Sequence, residues 1–173
     1  MKRLEPIEKR ERAGLVQSLK RAFWPGILGG LAIVPYGMVL LFWLHAHVDV
    51  YGTKTLQLLV AKPTPLLEFV QHMVISYAFA IPYVWALEQM RSWHNRSRTF
   101  HLLLGAAYGL LIWSAVNSLM LPVLFHDKTP WQLGWYAIWP SLTGHVVYGI
   151  VVALLARRQL RLVQATKVRA SEV

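Results

Sequence analysis

The chain has 173 residues, 55% of them hydrophobic, a mean hydropathy of +0.39 and a formal net charge of +10. A soluble domain of that length is far less apolar, so much of the surface must face lipid. Cysteine is absent, which excludes disulfides, iron–sulfur ligation, thiolate metal sites and thiol nucleophiles together.

Residues 1–21, MKRLEPIEKRERAGLVQSLKR, alternate charges, and the apolar run after them is too long for a cleavable signal. They read as a basic tail before a retained first span. A bilayer core of about 30 Å needs about 20 apolar helical residues. Four segments supply them, at about residues 22–43, 65–87, 101–125 and 135–156, followed by a second basic tail over 157–173. The expected fold is all-α, a single four-helix transmembrane bundle over 22–156. Pro35, Pro82 and Pro122 fall inside the first three spans, where each removes a backbone donor and favours a kink.

Of the 18 Lys and Arg, 15 lie in the two tails or the second loop, against Lys54, Lys62 and Lys128 on the other side. Short basic segments resist translocation, so both termini are expected in the cytoplasm. Trp43, Tyr51, Trp131, Trp135, Tyr136 and Trp139 then form an outer aromatic belt, with Trp24 and Trp93 on the inner side. Because the positive charge flanks apolar runs and forms no stripe interleaved with aromatics, nucleic acid is not an expected partner; the lipid bilayer is. In the first loop, TKTLQLLVAK reads either as a short interfacial amphipathic helix or as an ordinary packed loop. The third loop, HDKTPWQLGWYAIWP, is expected to dip back toward the bilayer.

Small residues recur four apart at Gly26 and Gly30, Gly105 and Gly109, and Gly149 and Ala153. Such spacing lets helices approach closely, either within one chain or between copies and other membrane subunits. Ionisable and polar residues at membrane depth are few. Glu68, His72 and Ser76 share one stripe of the second helix at i, i+4 spacing, Asn117 lies on the third, and His145 and Tyr148 on the fourth. At 1.5 Å per residue, His72 and Asn117 sit about 24 Å and His145 about 17 Å from the basic face. These six residues are the candidate ligand or proton pocket, in the outer half. The histidines read alternatively as packing residues hydrogen-bonded to Asn117, Ser76 or Tyr148. Glu88, near the basic end of the second helix, is expected to pair with Arg91.

Haem or a divalent metal is a further alternative, with His72 and His145, or the HxHxD cluster of His45, His47 and Asp49, as ligands. Neither set is complete: there is no HExxH, no His pair at i, i+4 and no second carboxylate at matching depth. No nucleophile–base arrangement, phosphate-cradling loop or paired-carboxylate site is visible, so an enzyme is not expected.

Three stretches, QHMVISYAFAIPYVWALE, HLLLGAAYGLLIWSAVNSLMLPVLF and LGWYAIWPSLTGHVVYGIVVALLARR, resemble the YagU-like bacterial inner-membrane proteins, whose domain has no assigned biochemical activity. The resemblance covers about residues 68–158 and is carried by His72, Tyr83, Glu88, Gly105, Pro122, Gly144 and His145. It departs at Asn117, near which the family pattern has a histidine, and it does not extend before Pro65 beyond one shared apolar span. It implies a bacterial inner-membrane location and no particular chemistry. Three functional readings follow: an accessory or envelope-condition-sensing protein acting through helix contacts; a small transporter or proton-linked channel using the outer polar pocket; and a haem- or metal-binding membrane protein.

Overall fold

The computed structural model describes residues 7–45 and 56–171, and these are helical nearly throughout. The helices are α1 (Ile7–Trp43), α2 (Pro65–Gln89), the short α3 (Arg91–His94), α4 (Arg98–Ser114), α5 (Leu121–Phe125), α6 (Pro130–Leu133) and α7 (Trp135–Ser171). A six-residue π-helical stretch, Ala115–Met120, joins α4 to α5. Four helical runs are long and apolar enough to cross a membrane: Gly14–Trp43, Pro65–Gln89, Arg98–Phe125 and Trp135–Val163. Between 22% and 33% of each apolar window is buried. Most large apolar side chains therefore point outward, as Leu66, Leu103, Leu111 and Val123 do, and only lipid can cover so much of them. The protein is an integral membrane protein.

Local chemistry sets the helix starts. Thr64 Oγ1 accepts from Leu67 N at 3.3 Å, with Pro65 at the first helical position and Glu68 in the first turn of α2. Ser97 Oγ accepts from Phe100 N at 3.1 Å to start α4. At the other end of that span, His126 closes α5 in the left-handed conformation with φ 53°. Thr129 N donates to Gln132 Oε1 at 2.8 Å in the first turn of α6, and Gly134, with φ 82°, makes the corner into α7. Of the TKTLQLLVAK segment, the described part folds as one helical turn from Leu56 to Val60 that leaves Leu58 and Leu59 exposed. His47, Asp49, Tyr51 and Lys54 lie outside the described residues.

The helices pack in the order α2, α1, α7, α4. Backbones meet between α1 and α2, between α1 and α7, and between α4 and α7. Glycine makes these seams close. A Cβ on Gly26 would stand 2.6 Å from Tyr77 Cα, one on Gly29 would meet Val152 and Tyr148, and one on Gly105 would stand 2.6 Å from Gly149 O. The small-residue spacings are thus used for packing within the chain.

The ring is not closed in the same way between α2 and α4, where tyrosines do the bridging. Tyr108 O–H donates to Phe79 O at 2.5 Å, and the rings of Tyr83 and Tyr108 lie 5.0 Å apart. The packed core fills the half of the bundle nearest the basic helix ends, with Ala22, Ala80, Val84, Leu87, Val152 and Ala156 all fully or almost fully buried. Glu88 is held at this end by α1: Arg21 Nη1 lies 2.6 Å from Glu88 Oε1, and Ser18 Oγ donates to the other carboxylate oxygen. The side chain of Arg91, the expected partner, lies outside the described residues. Arg21 and Ser18 approach from the neighbouring helix while Glu88 is still within α2, so the carboxylate is met across the seam before the chain turns.

Candidate functional site

In the opposite half the four helices part around a cavity of about 390 Å³. Its walls are chiefly apolar, with Ile33 and Leu40 from α1, Ile75 and Phe79 from α2, and Val116 and Met120 from the π-helical stretch. All six of Glu68, His72, Ser76, Asn117, His145 and Tyr148 border it. They arrive from three helices, and the stripe on α2 faces α7 across the space.

The two histidines do not bond to Asn117, Ser76 or Tyr148, as the packing alternative expected. Each bonds to a main-chain carbonyl instead. His72 Nε2 lies 3.1 Å from Gly30 O on α1, reachable because Gly30 has no side chain and sits tight against Ser76 and Met73. His145 Nδ1 lies 2.7 Å from Ser141 O, one turn back on its own helix. A carbonyl can only accept, so each of these nitrogens carries the proton and the other ring nitrogen is a lone-pair acceptor. No described residue bonds to His72 Nδ1 or His145 Nε2.

Asn117 follows the same logic. Its Nδ2 donates to Trp113 O at 3.0 Å, while Oδ1 has no described partner. The π-helical geometry places it there. Leu121 N–H reaches five residues back to Val116 O, and Pro122 has no N–H to continue an ordinary ladder, so the turn widens at Asn117. Asn117 borders the same cavity as the other sequence-derived candidates, and the widened turn that presents it was not foreseen. The usable signal was an Asn–Ser pair followed, within five residues, by a proline in an apolar helix.

Two further groups shape the site. Tyr148 lines the cavity with its polar atom satisfied, its O–H donating to Ser76 O at 2.5 Å. Tyr36 and Thr143, both absent from the sequence-derived set, tie α1 to α7 through a 2.5 Å contact between their oxygens, and Thr143 Oγ1 donates on to Trp139 O at 2.7 Å. That tie holds the wall behind Gly144 and His145.

The cavity therefore combines an apolar body with the open acceptors His72 Nδ1, Asn117 Oδ1 and His145 Nε2, beside the Glu68 carboxylate. A pocket of this size and mix suits a small organic molecule better than an ion. Among the described residues no group of three His, Cys, Asp or Glu is placed to hold a metal, and His47 and Asp49 of the HxHxD cluster lie outside them. Comparison of the chain with protein-family models, with curated proteins and with solved structures returns no match, so function is inferred from the cavity and its residues.

Proposed function

We propose that this membrane protein binds a small, mostly apolar molecule that carries hydroxyl or amino hydrogen-bond donors, and that occupancy of the cavity is what it senses or passes on. The observation that carries this reading is the acceptor set: three side chains from three helices each place a donor on a backbone carbonyl and leave an acceptor open beside the same apolar space. An unpaired acceptor out of water costs free energy until a donor arrives, so the site discriminates for a donor-bearing guest. The seam between α2 and α4, bridged by side chains, is the natural lateral entrance from lipid. Bends at Pro35, Pro82 and Pro122 belong to this reading, since a bent helix leaves room inside a bundle. The glycine spacings that motivate an accessory role are used within the chain, which shifts the weight to the cavity.

The test uses one shape with and without a donor. In nanodiscs, 1-naphthol is expected to bind saturably at one site per chain, beyond its partition into empty discs, and about tenfold more tightly than naphthalene. Joint replacement of His72→Phe, Asn117→Leu and His145→Phe should abolish that preference. Equal binding of the two probes, or a preference unchanged in the triple variant, would defeat the proposal.

The basic residue distribution supports an orientation with both termini in the cytoplasm, which puts the cavity in the leaflet facing away from it, and the YagU-like resemblance agrees with a bacterial inner membrane. The lack of cysteine makes the orientation simple to check. Lys128→Cys should react with an impermeant maleimide on intact cells, and Arg96→Cys should react only after lysis. The reverse pattern would invert the protein.

A further inference from the structure

The basic end of the α4–α7 pair gathers positive charge with no counter-charge among the described residues. From Met90 to His126, and again from Lys128 to Ser171, the sequence has no Asp or Glu. Arg157, on α7, donates from Nη2 to Arg96 O at 3.3 Å, which ties α7 to the turn that precedes α4. Arg157 also lies within electrostatic reach of both Arg161 and Arg98. Among the described residues, none of these four arginines has a carboxylate partner.

The turn around them is firmly built. His94 Nε2 bonds to Leu87 O at 2.8 Å, the Arg96 guanidinium carbon stands 5.9 Å from the Phe100 ring centroid, and Phe100 meets Trp93 edge-on at 5.8 Å. His101, one turn into α4, is 0% exposed. Its Nε2 lies 3.1 Å from Trp93 O, so that nitrogen donates and Nδ1 is left as an acceptor. Nδ1 is buried with no partner, and so is Arg157 Nε. Arg157 and Arg161 are among the charged neighbours of that ring.

Three physical facts converge on one ligand chemistry. Uncompensated guanidinium groups close to one another repel, and an anion between them removes the penalty. The planar guanidinium fork matches a phosphate. Ser97 caps α4, and the first-turn N–H groups of Arg98 and Thr99 have no acceptor within the helix, at the end where the macrodipole is positive. The buried Nε–H of Arg157, which has no acceptor among the described residues, adds a donor suited to an anion.

We propose that the basic surface between the start of α4 and the basic end of α7 binds a phosphate-bearing anion, the headgroup of an anionic phospholipid, gripped by Arg98 and Arg157. Basic pockets between transmembrane helices are suited to such headgroups. The site lies at the opposite end of the bundle from the cavity and does not depend on what the cavity binds.

Native mass spectrometry of the full chain in mild detergent tests this. Dioleoylphosphatidylglycerol is expected to give a saturable adduct bound about tenfold more tightly than dioleoylphosphatidylcholine. Arg98→Gln, at an exposed position that packing does not need, and Arg157→Gln should each weaken the anionic adduct about fivefold. Lys20→Gln, which removes the same charge from exposed α1 surface, should leave it unchanged. Inorganic phosphate that displaces the lipid at millimolar concentration would support the site and assign its occupant to soluble phosphate. Equal affinity for the two lipids, or equal effects of Arg98→Gln, Arg157→Gln and Lys20→Gln, would overturn it.

Discussion

Replacing Gly149 by alanine is expected to force α7 away from α4 and to destabilise the purified protein by about 3 kcal/mol, the upper range for overpacking a close contact. An added Cβ there would stand 2.7 Å from Gly109 N and 3.0 Å from Gly109 Cα, and would run into Gly105 O as well. All three are backbone atoms, so no side-chain rotation relieves the clash, and the two helices must separate along a whole turn. Gly109→Ala meets His145 and Val146 backbone in the same way and should behave alike. Gly14→Ala, with nothing within 4 Å of the new methyl, should instead stabilise the helix by about 0.5 kcal/mol, because alanine loses less backbone entropy than glycine. Thermal unfolding in detergent, followed by near-ultraviolet circular dichroism, reads all three. A Gly149→Ala melting curve that overlays the parent would show that this seam is not closely packed.

Glu88→Ala should cost about 2 kcal/mol and leave Arg21 without its counter-charge. Removing one partner of a fully buried pair costs about 3–5 kcal/mol. Here the carboxylate is 12% and the guanidinium 21% exposed, so Arg21 can turn part-way to water and the cost is smaller. The double variant Arg21→Met with Glu88→Met should recover most of the loss, since two apolar side chains fill the space with no stranded charge. A double-mutant cycle separates the terms: a coupling energy near zero would mean that Glu88 is held by Ser18 and packing alone.

How far the sequence led differs between fold and site, for physical reasons. The four spans were plain, because a 30 Å apolar slab demands a length of helix that nothing else in the chain imitates. The glycine seams were visible as spacings, and the stripe of Glu68, His72 and Ser76 followed from helical periodicity. Partner identity was not visible. Glu88 pairs with Arg21 across a seam whose rotational register no local pattern encodes. The histidine bonds were missed because their acceptors are main-chain carbonyls, which every residue has and composition cannot single out. The widening at Asn117 arises from a proline that follows it, and the empty acceptors appear only once each donor has been placed.

The seam between the first and last spans, where Gly29 lies against Tyr148 and Val152, sets an order on biosynthesis. As the chain leaves the ribosome, α1 and α2 can pair early, but the faces of α1 at Gly29 and of α4 at Gly105 and Gly109 must wait for α7. Until then they lie against lipid or the insertion machinery. Closure waits for α7, and a chain stalled before Trp135 would hold its third span only through the tyrosine bridge to α2.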